Sequence, residues 1–411
     1  MADYVIVLDP GHGSDQYHGG EFGPYVEKDI DLAVALTIKD HLEKYEGVKV
    51  YLTRYDDRVV ELKERADIAK AYNADYFISV HFNMSAAHDL YGSEVWLPVQ
   101  NKYYNAMYPM ANEFMNTFRS MGLFDRGIKT RLSSSGKDNY YAVLKYATNY
   151  GIPSCIVEHC HMDNINDTKL LPVVNQATYS AALTNFGIQD AEAIARTLKL
   201  KSQILGTDYS NYKTVKGNAK AALIKMDETA PEVNKVELVS KDTQANTVTI
   251  KLTAKDKNSY LLYYKYSIDG GITFSEALEW PSNGLHNSKE SFTTTINVPA
   301  NKELNIVTMV YNSYDVTTLS NVLNVSALGN VNVSSIKELP INTKEDNISI
   351  LIAEHDNDIL TSGTTSYMEV KSLSKTPEVN KGLLIDGLLT GGIIIGLLLK
   401  ICIKKYRISQ R

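Results

Sequence analysis

Short apolar runs alternate with stretches of helical period over the first 200 residues of the chain. The runs predict strands and the intervening stretches predict helices, because their apolar positions follow the period of each element. We expect strands at Tyr4–Leu8, Val48–Leu52, Tyr76–Val80, Ser93–Leu97 and Pro153–Val157, and helices at Glu27–Tyr45, Glu61–Tyr72, Tyr103–Ser120 and Ala177–Leu198. This alternation is typical of an α/β fold. We therefore predict an α/β domain at residues 1–200, with a mostly parallel sheet flanked by helices.

The pattern changes after residue 200. Residues 201–229 are polar and contain several lysines, as expected for a linker. Residues 230–326 carry alternating segments such as "TVTIKLTA", "FTTTINVP" and "LNIVTMVYNSY", separated by turn residues. These segments predict an all-β sandwich of Ig-like or fibronectin-like type. Residues 327–380 are poor in aromatic residues and rich in Ser, Thr, Asn and charge, so we expect a stalk, in which "ISILIAEH" could form a short strand.

The carboxyl-terminal part of the chain contains one long apolar segment. Residues 382–403, "GLLIDGLLTGGIIIGLLLKICI", are long enough to cross a bilayer as a helix, although Asp386 and Lys400 bracket the charge-free part. Residues 404–411 form a basic tail, which the positive-inside rule places in the cytoplasm. We therefore expect a single-pass protein of the cell membrane whose other domains are extracellular, with no export signal visible at residue 1.

Charge and cysteine content narrow the class of partner only slightly. The formal net charge is −6 over 411 residues, which provides no basic face for a phosphate backbone, so we expect no nucleic-acid partner. The three cysteines do not suggest a disulfide framework. Cys155 and Cys160 flank Glu158 in an apolar run, where we expect them to be small buried residues. The oligomeric state stays open.

Polar residues follow three of the predicted strands. His12 comes after the first strand in "VLDPGHG", His81 ends "YFISVH", and Glu158 ends "SCIVE". The carboxyl ends of parallel strands share one edge of a sheet, where ligands gather. A catalytic zinc site needs three protein ligands, an open position for water and a nearby carboxylate. His12, His81 and Glu27, at the start of the second element, could be the ligands, and Glu158 the proton carrier.

At these residues the chain resembles the zinc-dependent N-acetylmuramoyl-L-alanine amidases, the cell-wall hydrolases also called type 3 amidases. The resemblance covers the first domain and rests on several motifs in the same order: "VLDPGHG", "EKDIDLAVAL", "YLTRYDD", "ERADIAKAYNADYFISVHFN", "RGIK", "YAVLK" and "IPSCIVEH". It implies that His12, Glu27 and His81 bind Zn²⁺ and that Glu158 is the catalytic acid-base residue. Glycines on both sides of His12 would let the turn aim this ligand.

The resemblance also implies a substrate and a reaction. The substrate would be peptidoglycan, as muropeptides, and the reaction would be hydrolysis of the amide bond between N-acetylmuramic acid and the L-alanine of the stem peptide, in cell-wall remodelling or lysis. Two alternatives stay open: a zinc peptidase that cuts within the stem peptide, and an inactive wall-binding surface protein. We expect the β-sandwich to serve as a spacer, although exposed aromatic residues there could bind a wall polymer.

The sequence departs from the family pattern directly after Glu158. It reads "EHCHMDN", where family members usually continue with a glycine, an aromatic residue and a short Ser/Thr-Asn ending. His159 and His161 could alter substrate fit, contact the metal or replace loop residues, and exposure in a loop is the simplest expectation. A second zinc site at His159, Cys160 and His161 is disfavoured because three consecutive residues are poorly spaced for one closed site. Arg65 and Asn83 fall on family positions, where a supporting role is sufficient.

Overall fold

The computed structural model describes residues 4–14, 19–217 and 226–328, together with two short strands at 336–338 and 351–353. The described residues fall into two units, which divide after Leu328. Within the first unit we distinguish the α/β region, residues 4–217, from the β region, residues 226–328. The predicted membrane segment at residues 382–403 and the tail at 404–411 lie outside the described residues.

The α/β region contains ten strands and six helices among its described residues. The strands are β1 (Tyr4–Pro10), β2 (Glu21–Phe22), β3 (Tyr25–Val26), β4 (Val48–Leu52), β5 (Tyr76–Asn83), β6 (Ser93–Leu97), β7 (Asp125–Thr130), β8 (Ser154–His161), β9 (Lys201–Ser202) and β10 (Thr207–Asp208). The helices are α1 (Glu27–Leu42), α2 (Leu62–Ala71), α3 (Asn101–Met121), α4 (Ala142–Asn149), α5 (Ile165–Thr168) and α6 (Gln176–Leu198). This is the predicted α/β class.

Six of these strands form a mixed sheet in the order β4-β1-β5-β8-β6-β7. All neighbouring pairs are parallel except β6 and β8, which are antiparallel. The three strands that carry or precede His12, His81 and Glu158 are therefore adjacent and point the same way. Their carboxyl ends meet at one edge of the sheet, as the sequence predicted.

The sheet is covered by helices on both faces because its strands alternate their side chains between two apolar clusters. Ile6 and Leu8 of β1 pack into a cluster with residues of α1, α3 and α6. Val7, between them, packs instead into a second cluster with residues of α2 and α4. Successive side chains of a strand point to opposite faces, so one short strand contributes to both cores.

Two details of the predicted elements are wrong. The strands carrying His81 and Glu158 continue beyond the predicted ends, to Asn83 and His161, so both residues lie inside strands and not at their ends. A register shift between His81 and Asn83 lets the pairing continue. Strand β7 and helix α4 were not predicted, since β7, "DRGIKT", has a central glycine and charged residues that hide its strand character.

The β region consists of two antiparallel sheets that share one apolar core. Its strands are β11 (Val233–Asp242), β12 (Thr247–Lys255), β13 (Leu261–Ser267), β14 (Leu278–Glu279), β15 (Ser291–Asn297), β16 (Leu304–Asn312), β17 (Thr317–Leu319) and β18 (Leu323–Val325). One sheet has the order β11-β12-β15 and the other β14-β13-β16-β17, with β18 also paired to β16. Ile250 and Ile296 of the first sheet and Leu261 and Ile306 of the second belong to the same cluster.

The predicted linker and stalk are described only in part. Residues 201–217 contain the β9–β10 pair, and residues 218–225 lie outside the described residues. In the second unit, β19 (Ile336–Glu338) pairs antiparallel with β20 (Leu351–Ala353), which falls inside the short strand suggested in "ISILIAEH". Across the part of the chain that the structure describes, no helix combines the length and apolar character that crossing a membrane requires.

Candidate metal centre

The turn after β1 brings the His12 side chain beside the sheet edge. His12 has a φ of 58°, a left-handed conformation that is uncommon outside glycine. A Cβ atom on Gly11 would lie 2.3 Å from Cε1 of His81 and 2.7 Å from a carboxylate oxygen of Asp31. Only glycine at position 11 lets the turn pass this close to both side chains. The conformation of the turn is therefore constrained by its contacts with His81 and Asp31.

The side chains of His12 and His81 converge on one carboxylate oxygen of Glu27. Nε2 of His12 lies 3.0 Å from Oε1 of Glu27, and Nδ1 of His81 lies 3.1 Å from the same oxygen. The two imidazole rings are 5.0 Å apart and nearly perpendicular. The other carboxylate oxygen of Glu27 accepts a hydrogen bond of 2.7 Å from the backbone N–H of Gly20, which orients the carboxylate. The structure thus brings together all three residues that the sequence nominated as ligands.

Asp31 is a fourth member of this group, and it was not predicted from the sequence. It lies four residues after Glu27 on α1, so the two carboxylates share one face of the helix. One donor atom from each of His12, Glu27, Asp31 and His81 lies within 4.8 Å of the others. Asp31 is fully buried, and among the described residues neither of its carboxylate oxygens has a hydrogen-bond partner. The i, i+4 spacing of acidic residues in "EKDID" was the available signal.

This donor set fits a zinc ion. Two imidazoles and a carboxylate are a ligand set that catalytic zinc uses, and its ligand atoms lie roughly 3.3 Å apart when each bond is about 2.0–2.1 Å. The separations of 3.0 and 3.1 Å between the histidine nitrogens and Glu27 are close to that value. A buried carboxylate without a hydrogen bond, as in Asp31, is costly unless a cation lies nearby. His12, Glu27 and His81 could therefore hold the metal, with Asp31 adding negative charge.

Two buried arginines hold the turn that carries His12. Arg54 donates to the backbone carbonyls of Pro10, at 3.1 Å, and Gly11, at 2.7 Å. Arg65 donates to the carbonyls of Pro10, at 2.8 Å, and His12, at 2.5 Å. Three successive carbonyl groups are thus fixed by guanidinium groups, which present several donors in one rigid plane. The supporting role expected for Arg65 agrees with this geometry, and Arg54 was not singled out, although it lies in the motif "YLTRYDD".

A chain of hydrogen bonds also orients the ring of His81. Its Nε2 lies 3.1 Å from the hydroxyl of Ser79, which donates to Asp9 at 2.8 Å. Asp9 in turn accepts a hydrogen bond of 2.7 Å from Arg65. Partners of this kind set the tautomer and orientation of a metal-binding histidine. The side of His81 that faces Glu27 is Nδ1, and Nε2 is engaged by Ser79.

Glu158 lies one strand away from His81. The two residues are partners in the parallel register of β5 and β8, so their side chains lie on the same face of the sheet. On its other side, Glu158 is opposite Glu94 in the antiparallel register of β6 and β8. Burial raises the pKa of Glu158 well above its usual value, and the negative charges of Glu27 and Glu94 add to this effect. Glu158 is therefore a carboxyl group that holds a proton more tightly than an exposed glutamate.

The cluster strongly perturbs the ionisation of its own members. Burial acts to raise the pKa of Glu27, but the attraction and hydrogen bonds of His12 and His81 outweigh it and hold the pKa well below its usual range. Burial lowers the pKa of His81, although its contact with Glu27 opposes this shift. Burial, followed by repulsion from Glu27, raises the pKa of Asp31 well above its usual value. Opposed pKa shifts among neighbouring groups are typical of functional sites.

His159 and His161 are not loop residues, and the expectation of an exposed loop is wrong. Both lie in β8 and are buried, at 0% and 2% exposure. His159 lies 2.5 Å from Asp190 through Nε2 and 2.8 Å from the backbone carbonyl of His81 through Nδ1. Nδ1 of His161 lies 3.1 Å from the carbonyl of Gly92. Both histidines are engaged in the protein core, and neither belongs to the metal-binding group among the described residues.

Comparison with known proteins agrees with this geometry. Residues 6–189 match the N-acetylmuramoyl-L-alanine amidase family over the part of the chain that contains every residue of the cluster. These residues belong to that family. The resemblance stated from the motifs is thus confirmed for residues 6–189.

Individual relatives cover different shares of this amidase region. The N-acetylmuramoyl-L-alanine amidase LytC of Bacillus subtilis is 30% identical over 182 residues, which are 43% of this chain and 32% of that protein. The amidase CwlM of Bacillus licheniformis is 26% identical over 205 residues, 47% of this chain and 69% of that protein. The solved catalytic domain of the amidase CwlV from Bacillus (Paenibacillus) polymyxa var. colistinus matches with 28% identity and a TM-score of 0.38, covering 48% of this chain and 99% of that domain. The chain spans about a third of LytC.

Proposed function

We propose that this chain is a zinc-dependent peptidoglycan hydrolase that cleaves the amide bond between N-acetylmuramic acid and the L-alanine of the stem peptide. The observation that carries the proposal is the convergence of His12 and His81 on one carboxylate oxygen of Glu27, with Glu158 in register beside His81. This arrangement lies within the residues that match the amidase family.

His12, Glu27 and His81 would hold the metal ion. A bound zinc ion would supply Lewis-acid polarisation of the scissile carbonyl and would activate a water molecule near neutral pH. Glu27 and Asp31 provide the negative charge that makes this edge of the sheet attractive to a dication. The hydrogen bonds that Arg54 and Arg65 donate to the turn, and the one that His81 donates to Ser79, hold the ligands in place in the metal-free protein.

Glu158 would move the proton. As a carboxylate it accepts a proton from the attacking water, and as a carboxylic acid it delivers that proton to the departing amine of L-alanine. The raised pKa of Glu158 suits both halves of this task, because a carboxylate with a high pKa is a stronger base. Its place beside His81, and not within the ligand cluster itself, leaves the carboxyl group available for proton transfer.

The two alternatives differ from the amidase in what they do to a muropeptide. A zinc peptidase would use the same residues and would cut inside the stem peptide, since the surrounding pocket decides which amide is presented. A wall-binding protein would bind the polymer without cleaving it. The presence of His12, Glu27 and His81 in one cluster, with Glu158 in register beside His81, favours hydrolysis over binding alone.

Product analysis separates the three functions. The full chain is loaded with zinc, incubated with defined muropeptides with and without a chelator, and the products are identified by mass. The amidase predicts an intact stem peptide with a free L-alanine amino group, formed only with zinc. Cleavage inside the stem would establish the peptidase. Binding of the muropeptides without cleavage, by protein that retains one equivalent of zinc, would support the binding protein.

We also propose that the β region is an Ig-like or fibronectin-like sandwich and that residues 382–403 anchor the protein in the cell membrane, with the other domains outside. The sheet orders β11-β12-β15 and β14-β13-β16-β17 support the first proposal, since they place the second and third strands in different sheets, as in Ig domains. The apolar sequence supports the anchor. Fractionation of cells that express the full chain or residues 1–381 tests it: only the full chain should sediment with membranes, and equal sedimentation would refute the anchor.

A further inference from the structure

The β region is joined to the α/β region by buried polar contacts. Tyr260 donates to the backbone carbonyl of Arg126 at 2.9 Å, and Tyr263 donates to the carbonyl of Tyr91. Lys265 forms an ion pair with Asp89. Apolar residues Leu90 and Tyr91 of the α/β region share a cluster with Leu262, Tyr263, Ala277 and Tyr311 of the β region. Such specific, buried contacts differ from those expected of a spacer on a flexible connection.

The family motif "RGIK" in β7 is shaped by this junction. Gly127 has a φ of 104°, and a Cβ atom there would lie 1.9 Å from the hydroxyl oxygen of Tyr260. Glycine is therefore required for Tyr260 to approach the strand. The next strand position toward the amino terminus is Arg126, which is 1% exposed and faces both regions. The β region thus packs directly on the strand that contributes two buried cations to the sheet.

Four charged residues form a network across the junction, which we call the junction network: Glu94, Arg126, Lys129 and Asp315. One oxygen of Glu94 lies 2.8 Å from Arg126 and 2.6 Å from Lys129. Arg126 also pairs with Asp315 of the β region at 2.7 Å. The two carboxylates balance the two cations only when Asp315 is included. Loss of the Asp315 carboxylate while the β region stays docked would leave a buried positive charge uncompensated, which is unfavourable.

The junction network reaches the proton carrier of the proposed reaction. Glu94 is the cross-strand partner of Glu158, and directly opposed residues on antiparallel strands have Cβ atoms about 5 Å apart on one face. The other oxygen of Glu94 accepts hydrogen bonds from Trp96 and Asn83, at 3.1 and 3.4 Å. Asn83 lies two residues after His81 on β5. Glu94 therefore contacts the surroundings of the proposed site on two sides: it lies opposite Glu158, and it is hydrogen-bonded to Asn83 on the strand that carries His81.

From these contacts we infer that Asp315 and Tyr263 of the β region are positioning residues for Glu158, so that turnover depends on the β region being docked on the sheet. The inference rests on the proposed amidase function. Asp315 acts through Arg126 and Glu94, and Tyr263 acts through its hydroxyl group, which lies 3.1 Å from Arg126. The β region thus supports the position of Glu158 through Arg126 and Glu94, in addition to any role as a spacer.

The test compares two junction ion pairs in the full zinc-loaded chain. Asp315→Asn removes one of the two negative charges of the junction network. Asparagine tolerates the left-handed φ of 63° at this position. Asp89→Asn is the matched control, because it breaks another ion pair between the two regions without touching Glu94 or Arg126. Tyr263→Phe serves as a second variant that keeps the ring and removes the hydroxyl. Steady-state kinetics on a muropeptide, bound zinc and thermal unfolding are measured for each.

We expect Asp315→Asn to lower kcat by at least about tenfold, with KM and zinc content little changed, because a small displacement of a catalytic group costs rate more than binding. Tyr263→Phe should change kcat in the same direction, and Asp89→Asn should stay within about twofold of the wild type. Equal activity of wild type, Asp315→Asn and Tyr263→Phe would overturn the inference and leave the amidase function intact. Equal losses in Asp315→Asn and Asp89→Asn would overturn it in favour of a purely structural junction. A zinc-loaded wild type without hydrolase activity would refute the proposed function itself, and the inference with it.

Discussion

Arg65 donates a hydrogen bond of 2.5 Å to the backbone carbonyl of His12, so a buried guanidinium fixes the turn that presents a candidate ligand. The same side chain also reaches Asp9, at 2.7 Å, and the carbonyl of Pro10, at 2.8 Å. One residue therefore connects the turn after β1 to the hydrogen-bond chain behind His81. A planar group with several donors is required to make all three contacts at once.

Arg65→Lys should weaken zinc binding by roughly 10- to 100-fold, because a lysine ammonium is a single point of charge and cannot bridge the three acceptors. Competition with a chromophoric chelator measures the affinity. Arg58→Lys is the matched control, since Arg58 is an exposed arginine in the loop that precedes α2. Unchanged zinc affinity in a correctly folded Arg65→Lys protein would contradict the role assigned to the guanidinium.

Asp31→Asn should have opposite effects on metal binding and on the stability of the metal-free protein. Zinc affinity should fall by roughly 10- to 100-fold because a negative charge beside the ligands is lost. The metal-free protein should become more stable at neutral pH, because the buried carboxylate has no hydrogen-bond partner among the described residues. Chelator competition and urea unfolding measure the two quantities. Glu113→Gln, at a buried carboxylate paired with Arg196, is the control, and equal behaviour of the two variants would exclude a specific role for Asp31.

His159 and Asp190 form a buried pair whose two members are not independent. His159→Leu should destabilise the protein by about 3–5 kcal/mol, because it leaves the carboxylate of Asp190 buried without its partner. The double variant His159→Leu/Asp190→Ala should recover most of this loss, since no buried charge remains. Denaturant unfolding of the wild type, both single variants and the double variant gives the coupling energy. Additive effects of the two substitutions would show that the pair is not energetically linked.

The fold was largely predictable because its strands and helices have strong local patterns. The predicted strands at Val48–Leu52 and Ser93–Leu97 have the observed bounds, and the central parallel strands follow from the α/β alternation. Strand β7 was missed for a physical reason. Its buried Arg126 and Lys129 look like exposed residues in the sequence, and they are buried only because Glu94 and Asp315 lie close to them in the folded chain.

Some residues of the candidate site were predictable from the sequence and others were not. His12, Glu27, His81 and Glu158 occur in motifs with recognisable spacing, so the sequence alone nominated them. His159 looked like an exposed loop residue, because its partner Asp190 lies on α6 and no local signal links the two. Arg54 and Asp31 lie inside motifs, yet their roles depend on distances between elements. Contacts between residues distant in the sequence leave no local pattern from which they could be predicted.

Asp167 should make stability depend on pH between about 4 and 6. Burial raises the pKa of its carboxyl group to about 6, against the backbone hydrogen bonds from His161 and Gly92, which lower it. The folded protein therefore binds this proton more tightly than the unfolded chain. The stabilisation is fully present below the unfolded pKa and is lost as the pH rises through about 6.

The difference in unfolding free energy between the wild type and Asp167→Asn isolates this effect. From pH 4 to pH 7 the wild type should lose up to about 3 kcal/mol relative to the variant. Urea unfolding at a series of pH values gives the curve. Parallel pH dependences of the two proteins would contradict the prediction.

The measurement that tests the central claim most directly is muropeptide turnover by the full-length Glu158→Gln variant at matched zinc content. Glutamine keeps the size of the side chain and removes its ability to accept and deliver a proton. We predict one bound zinc per chain, as in the wild type, and a loss of kcat of at least about 100-fold. Turnover by Glu158→Gln within a few fold of the wild type, with the same stem-peptide product, would contradict the assignment of Glu158 as the proton carrier.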